Sequence, residues 1–308
     1  MRKNFKIYAF FGIAVLVYAG LTFGTPPDPE ALQRYNMTVL QSRLLSLTIV
    51  VPVALIWFLA LFGYSVFRDY ARSIRKGQDG KAFGNIATGL SVLAVGLPVL
   101  TIASTIARII TRNNEALIPA STVFSHYSNI AITLFAFWFI HKGAYQLQKL
   151  TKEDPKGREW SLLLGVFIAL ALTYVYLVLT NPARNTATAA FDGQSIFYLP
   201  DWLIVTTIIL PYLYVWYMGL VSGFYVNYYQ KKVGGVIYRQ SFRFLALGLI
   251  GVIIGSVLRQ YLTASSNLFA DLRLAPLLIL VYTLLIAIAI GYVFIAIGAR
   301  KLKQIEEV

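Results

Sequence analysis

Residues 44–67 read LLSLTIVVPVALIWFLALFGYSVF, and residues 203–226 read LIVTTIILPYLYVWYMGLVSGFYV. Each run is 24 residues long, and neither contains Asp, Glu, Lys or Arg. A helix needs roughly 20 mainly apolar residues to cross the hydrocarbon core. A β-barrel strand needs only about 9–11, in strict alternation. Both runs are apolar all round and too long for such strands, so each reads as a transmembrane helix. They also resemble each other: Pro52-x4-Trp57 recurs as Pro211-x4-Trp216, 159 residues further on.

The rest of the chain follows the same pattern. Further apolar runs lie at Ile7–Gly24, Phe83–Ile110, Ile118–Ile140, Trp160–Leu179, Phe242–Leu262 and Leu274–Ala299. The expected fold is all-α: a polytopic membrane protein of eight transmembrane helices. Composition agrees, since 58% of the 308 residues are hydrophobic and only 13% charged. A soluble domain of ordinary composition is about a quarter charged.

The charge is +14, from 27 Lys and Arg against 13 Asp and Glu. These charges sit between the apolar runs, which argues against a nucleic-acid partner. Of the 27 cations, 20 fall on one side if both termini are cytoplasmic. They are Arg2, Lys3 and Lys6; Arg68, Arg72, Arg75, Lys76 and Lys81; Lys142, Lys149, Lys152, Lys156 and Arg158; Lys231, Lys232, Arg239 and Arg243; and Arg300, Lys301 and Lys303. The opposite side keeps seven Arg and no Lys. The positive-inside rule therefore places both termini in the cytoplasm, as expected of an inner (plasma) membrane protein. The inner face carries a net +13 and the outer +1. The expected partners are the bilayer, anionic lipid headgroups at the inner face, and a membrane partner subunit or a second copy of the chain.

The likeness of the two opening runs extends further. At an offset of 159, Leu44, Thr48, Leu61 and Tyr70 fall on Leu203, Thr207, Leu220 and Tyr229. Phe83, Gly89 and Gly96 fall on Phe242, Gly248 and Gly255. At an offset of 155, Phe139-Ile140-x-x-Gly143-Ala144-x-x-Leu147 matches Phe294-Ile295-x-x-Gly298-Ala299-x-x-Leu302. Tyr18 meets Tyr174 near an offset of 156. The chain thus reads as two four-helix repeats, residues 1–155 and 156–308. Four is even, so the repeats are expected to be parallel, unlike the inverted repeats of many transporters. The first helix follows Met-Arg-Lys, as a signal peptide does, but its counterpart in the second half argues that it stays.

The repeated residues suggest packing roles. Pro52 and Pro211 are expected to kink their helices, and Trp57 and Trp216 to pack within the bundle. Gly89 and Gly96 are close to two turns apart, as are Gly248 and Gly255, which marks faces of close helix approach.

Functional chemistry is sparse. No Asp, Glu or Lys lies centrally in a span, although such residues usually mark intramembrane function. With no Cys, thiolate metal sites and cysteine nucleophiles are excluded. His126 and His141 are separated by roughly 22 Å along one helix, too far to share a haem iron, and His141 is expected at the interface. No phosphate-binding loop or hydrolase motif stands in a suitable context. No cofactor or metal is expected.

The candidate site is an outer polar pocket. Thr122, His126 and Asn129 form a stripe on the fourth span, continued by Thr133 and flanked by Ser125. Thr101, Ser104, Thr105 and Arg108 form another on the third. Arg108 is placed to meet an anionic group, with Arg259 of the seventh span as a further candidate. The competing expectation is that these polar groups hydrogen-bond between helices. The expected function is a non-enzymatic membrane protein that binds or translocates a small or lipidic ligand, or a membrane subunit of a larger complex. The alternative is an outer-leaflet enzyme or redox component acting through Arg108 and His126.

Overall fold

A computed structural model describes residues 5–27, 29–34, 36–74, 78–111, 118–151, 157–180, 201–232, 235–264 and 274–306. Helices dominate, and no strand occurs among the described residues. The helices are α1 (Phe5–Gly24), α2 (Pro29–Arg34), α3 (Val39–Ser73), α4 (Gln78–Thr111), α5 (Ile118–Leu150) and α6 (Gly157–Leu179). They continue as α7 (Asp201–Ile204), a π-helical turn (Val205–Ile209), α8 (Leu210–Lys232), α9 (Val236–Ala264) and α10 (Leu274–Glu306). Segments α7, π turn and α8 form one continuous helix.

Every apolar run lies in a long helix. Seven of these helices are long and apolar enough to cross a membrane. The described part of α5 is more polar, with Ser128, Asn129, His141 and Lys142. The architecture is that of a multi-pass membrane protein. Several helices outrun their apolar stretches at the end that carries the basic segments. For example, α3 continues through Arg68 and Arg72 to Ser73, and α8 reaches Lys231 and Lys232. Long basic side chains lay their stems along apolar surface while keeping their charge in water.

Local chemistry sets some helix ends. Thr38 caps α3: the Gln41 N–H donates to Thr38 Oγ1 at 3.2 Å, and the Thr38 N–H donates to Gln41 Oε1 at 2.8 Å. This reciprocal box satisfies two otherwise orphaned donors. At the entry to α9, Gly235 takes φ 87°, a left-handed conformation suited to glycine.

Six helices form the centre. Helix α4 packs between α3 and α5, α9 packs between α8 and α10, α5 lies on α8, and α10 lies on α3. Helix α1 lies outside α3 and α4, and α6 lies more loosely outside α8 and α9. The Tyr261 hydroxyl donates to the Leu170 carbonyl at 2.6 Å, tying α6 to α9.

Glycines set the closest approaches. A Cβ on Gly89 would collide with the Ala136 carbonyl and Ile140, and one on Gly248 with the Gly291 carbonyl and Ile295. On the partner helices, a Cβ on Gly143 would sit 2.5 Å from the Ala82 carbonyl, and one on Gly298 2.7 Å from the Ser241 carbonyl. Apolar burial does not drive association in lipid, so such close backbone contact is a main source of helix attraction.

Aromatic contacts add to this frame. Tyr70 meets Phe83 edge-on at 4.9 Å, and Tyr229 meets Phe242 edge-on at 5.0 Å. Phe83 and Phe242 themselves meet at 5.8 Å. Trp57 and Trp216 are buried, as expected, and pack on Tyr18 and Tyr174 at 5.4 and 5.0 Å.

Candidate functional site

The stripe residues lie on the facing helices α4 and α5. Thr101 is half-buried, and its hydroxyl donates to the Leu97 carbonyl at 2.8 Å. Thr105 donates to the Thr101 carbonyl and Thr133 to the Asn129 carbonyl, each at 2.8 Å. These three hydroxyls therefore bond back to their own helices, not across to a neighbour. A threonine within a helix satisfies its hydroxyl this way without a partner helix. Ser104 is buried, and its Oγ has no hydrogen-bond partner among the described residues. Asn129 is half-buried on α5.

The backbone places Arg108 in α4, Thr122, Ser125 and His126 in α5, and Arg259 in α9. Their side chains lie outside the described residues, as does the loop at 181–200. His141 is half-buried against α8. Its Nδ1 is 3.5 Å from Ser222 Oγ, and its ring is 5.8 Å from that of Tyr225. Helix α8 covers this part of α5, which a reading of α5 alone does not reveal.

Two functional candidates were not visible as such in the sequence. Tyr127, next to His126, shares a 2.6 Å hydrogen bond with Thr207. Thr207 is the middle residue of the π-helical turn at Val205–Ile209. Its hydroxyl also lies 2.7 Å from the Leu203 carbonyl, one turn back on its own helix. A π turn carries one extra residue and displaces the backbone ladder, and such turns occur frequently at functional sites. Pro211 follows, lacking the N–H that would continue the regular ladder. The corresponding hydroxyls, Thr48 and Tyr282, also meet, joining α3 to α10. There α3 runs through Pro52 as an uninterrupted α-helix.

The second candidate is an aromatic cluster. Tyr174 of α6, Trp216 of α8 and Tyr261 of α9 have ring centroids 5.0 to 6.1 Å apart. Tyr174 and Trp216 are fully enclosed, and neither the Tyr174 hydroxyl nor Trp216 Nε1 has a partner among the described residues. Buried polar atoms are usually satisfied, so this cluster is polar as well as aromatic. Among the described residues no three His, Asp or Glu side chains gather as metal ligands would.

No protein-family model matches the chain, and neither a curated protein nor a solved structure does.

Proposed function

We propose that the protein is a non-enzymatic membrane protein of two parallel four-helix repeats, which binds a small or lipidic ligand near the outer end of the contact between α5 and the α7–α8 helix. The observation that carries this reading is the π turn at Val205–Ile209, bonded through Thr207 to Tyr127 of α5. A π turn spends regular hydrogen-bond geometry for a local change of backbone register. Here that change occurs beside the segment of α5 that supplies Thr122, Ser125, His126 and Asn129. Arg108 at the end of α4, with Thr101 and Ser104 behind it and Arg259 on α9, would complete an anion-tolerant polar lining. Both termini lie on the cytoplasmic side in this reading, so the site faces outward.

The test is native mass spectrometry of the full-length protein purified in mild detergent. A non-protein mass should remain with the wild type and be lost from folded Tyr127→Phe and His126→Ala variants. Retention unchanged in both variants, or no retained mass at all, overturns the reading.

A further inference from the structure

The basic end of the bundle holds a cleft between α3 and α4, with a volume of about 330 Å³. Two arginines of α3, Arg68 and Arg72, line its mouth one turn apart. The opposite wall is cut back, because α4 presents Gly80, Gly84 and Ala87 there. The cleft then passes Tyr64 and Thr88 to Ser91. Arg72 and Tyr64 are eight residues apart, so the cleft rises about 12 Å along α3. It therefore runs from a cationic mouth into the apolar level of the spans.

The arginines are placed for an anion. Arg68 lies over the Tyr64 ring at 5.3 Å, which fixes its guanidinium at the cleft wall. It also pairs with Asp69 at 3.4 Å, where the Asp69 side chain is 49% exposed. The Arg68 side chain itself is only 17% exposed, so its guanidinium lies against the cleft wall and not in open solvent. Arg72 is exposed, and no acid pairs with it among the described residues. Guanidinium groups bind phosphate through paired, directional hydrogen bonds.

The second half differs at these positions. At the offset of 159, Gly80 and Gly84 correspond to Arg239 and Arg243, and Thr88 and Ser91 to Leu247 and Ile250. The side of α9 that corresponds to the cleft wall therefore carries bulk where α4 carries none. A Cβ at Gly84 would meet nothing within 4 Å. Glycine at this position is not required by helix contact, unlike Gly89.

We infer that this cleft binds one phospholipid of the adjacent leaflet, its phosphate held by Arg68 and Arg72 and its glycerol and upper acyl chain lying along Gly84, Thr88 and Tyr64. The occupant is a lipid and not a free anion because the cleft continues from the arginines past Gly84 and Thr88 to the level of the spans, a length that a phosphate ion alone does not fill. An anionic headgroup is preferred, since Arg68 and Arg72 line the cleft and no acidic residue does among the described residues. The site is at the opposite end from the proposed outer ligand site and does not depend on it.

The test is lipid titration of the full-length, detergent-purified protein, read by native mass spectrometry. The probes are phosphatidylglycerol, phosphatidylcholine and inorganic phosphate. One phosphatidylglycerol should bind per chain, about tenfold more tightly than phosphatidylcholine, and excess inorganic phosphate should not displace it. Loss of a charge-assisted hydrogen bond corresponds to about tenfold or more, so Arg68→Ala combined with Arg72→Ala should weaken retention at least to that extent. Gly84→Leu should do the same by filling the cleft, with an unchanged melting temperature. Arg72→Lys should retain part of the binding. Full retention in Gly84→Leu overturns the cleft as the site. Displacement by inorganic phosphate, with no preference between the two lipids, overturns the lipid in favour of a free anion. The outer-site variants Tyr127→Phe and His126→Ala should leave this binding intact, so failure of either proposal is separable from failure of the other.

Discussion

The two halves of the chain share a packing frame and differ at its ends. In the frame, Gly89 and Gly248 seat on Ile140 and Ile295, Trp57 and Trp216 pack on Tyr18 and Tyr174 at a tilt, and Tyr70 and Tyr229 meet Phe83 and Phe242 edge-on. At the basic end, Gly80 and Gly84 in one half stand against Arg239 and Arg243 in the other. At the far end, His126 and Asn129 stand against Val281 and Leu284. Chemistry changes even where the place of contact is kept. Asn85 donates to Gln146 at 2.9 Å, while at the corresponding positions Lys301 lies over the Phe244 ring at 5.8 Å. The lesson is that close helix packing constrains the middle of the bundle, whereas its ends are free to acquire separate roles. We propose duplication of a four-helix unit followed by divergence at the ends as the origin of this pattern.

The comparison breaks most easily at the glycines. Gly89→Val and Gly248→Val should each destabilise the protein by about 3 kcal/mol, because the added atoms press on backbone that cannot yield. Thermal unfolding in detergent measures both. If one half tolerates the change and the other does not, the shared frame is wrong. A smaller effect sharpens the difference at the far end. Tyr127→Phe and Tyr282→Phe each remove one interhelical hydrogen bond, expected to cost about 0.6 kcal/mol in a membrane bundle. Their consequences should diverge: Tyr127→Phe should raise amide exchange at Val205–Ile209, and Tyr282→Phe should leave residues 46–50 unchanged. Equal responses would show that Tyr127 does not hold the π turn.

Much of the fold was legible because lipid imposes a simple rule on length and polarity. All eight apolar runs lie in helices, and Gly89, Gly96, Gly248 and Gly255 do lie at close contacts. Helix ends were less legible. Arg68 to Ser73 is polar, so an apolar window stops before α3 does. Thr48 and Thr207 stood out as a repeated pair, but their partners Tyr127 and Tyr282 did not, since Tyr is abundant and these two align at a different offset. The π turn has no marker in composition, because it depends on how α5 and the α7–α8 helix meet. Arg68 and Arg72 read only as topology charges until α4 is placed beside them with Gly84 facing open space. Of the two stripes, Thr101, Ser104, Thr105, Asn129 and Thr133 are described with their side chains, and the three threonine hydroxyls bond to their own helices.

The central claim is that the halves are parallel, with both basic turns on one side of the membrane. The chain contains no Cys, so single cysteines can be introduced without a background. Ser73→Cys and Lys232→Cys, at exposed ends of α3 and α8, should both react with a membrane-impermeant maleimide only from the cytoplasmic side. Asn36→Cys and Thr180→Cys should react only from the opposite side. Labelling of positions 73 and 232 from opposite sides would contradict the parallel arrangement, and with it the account of both sites.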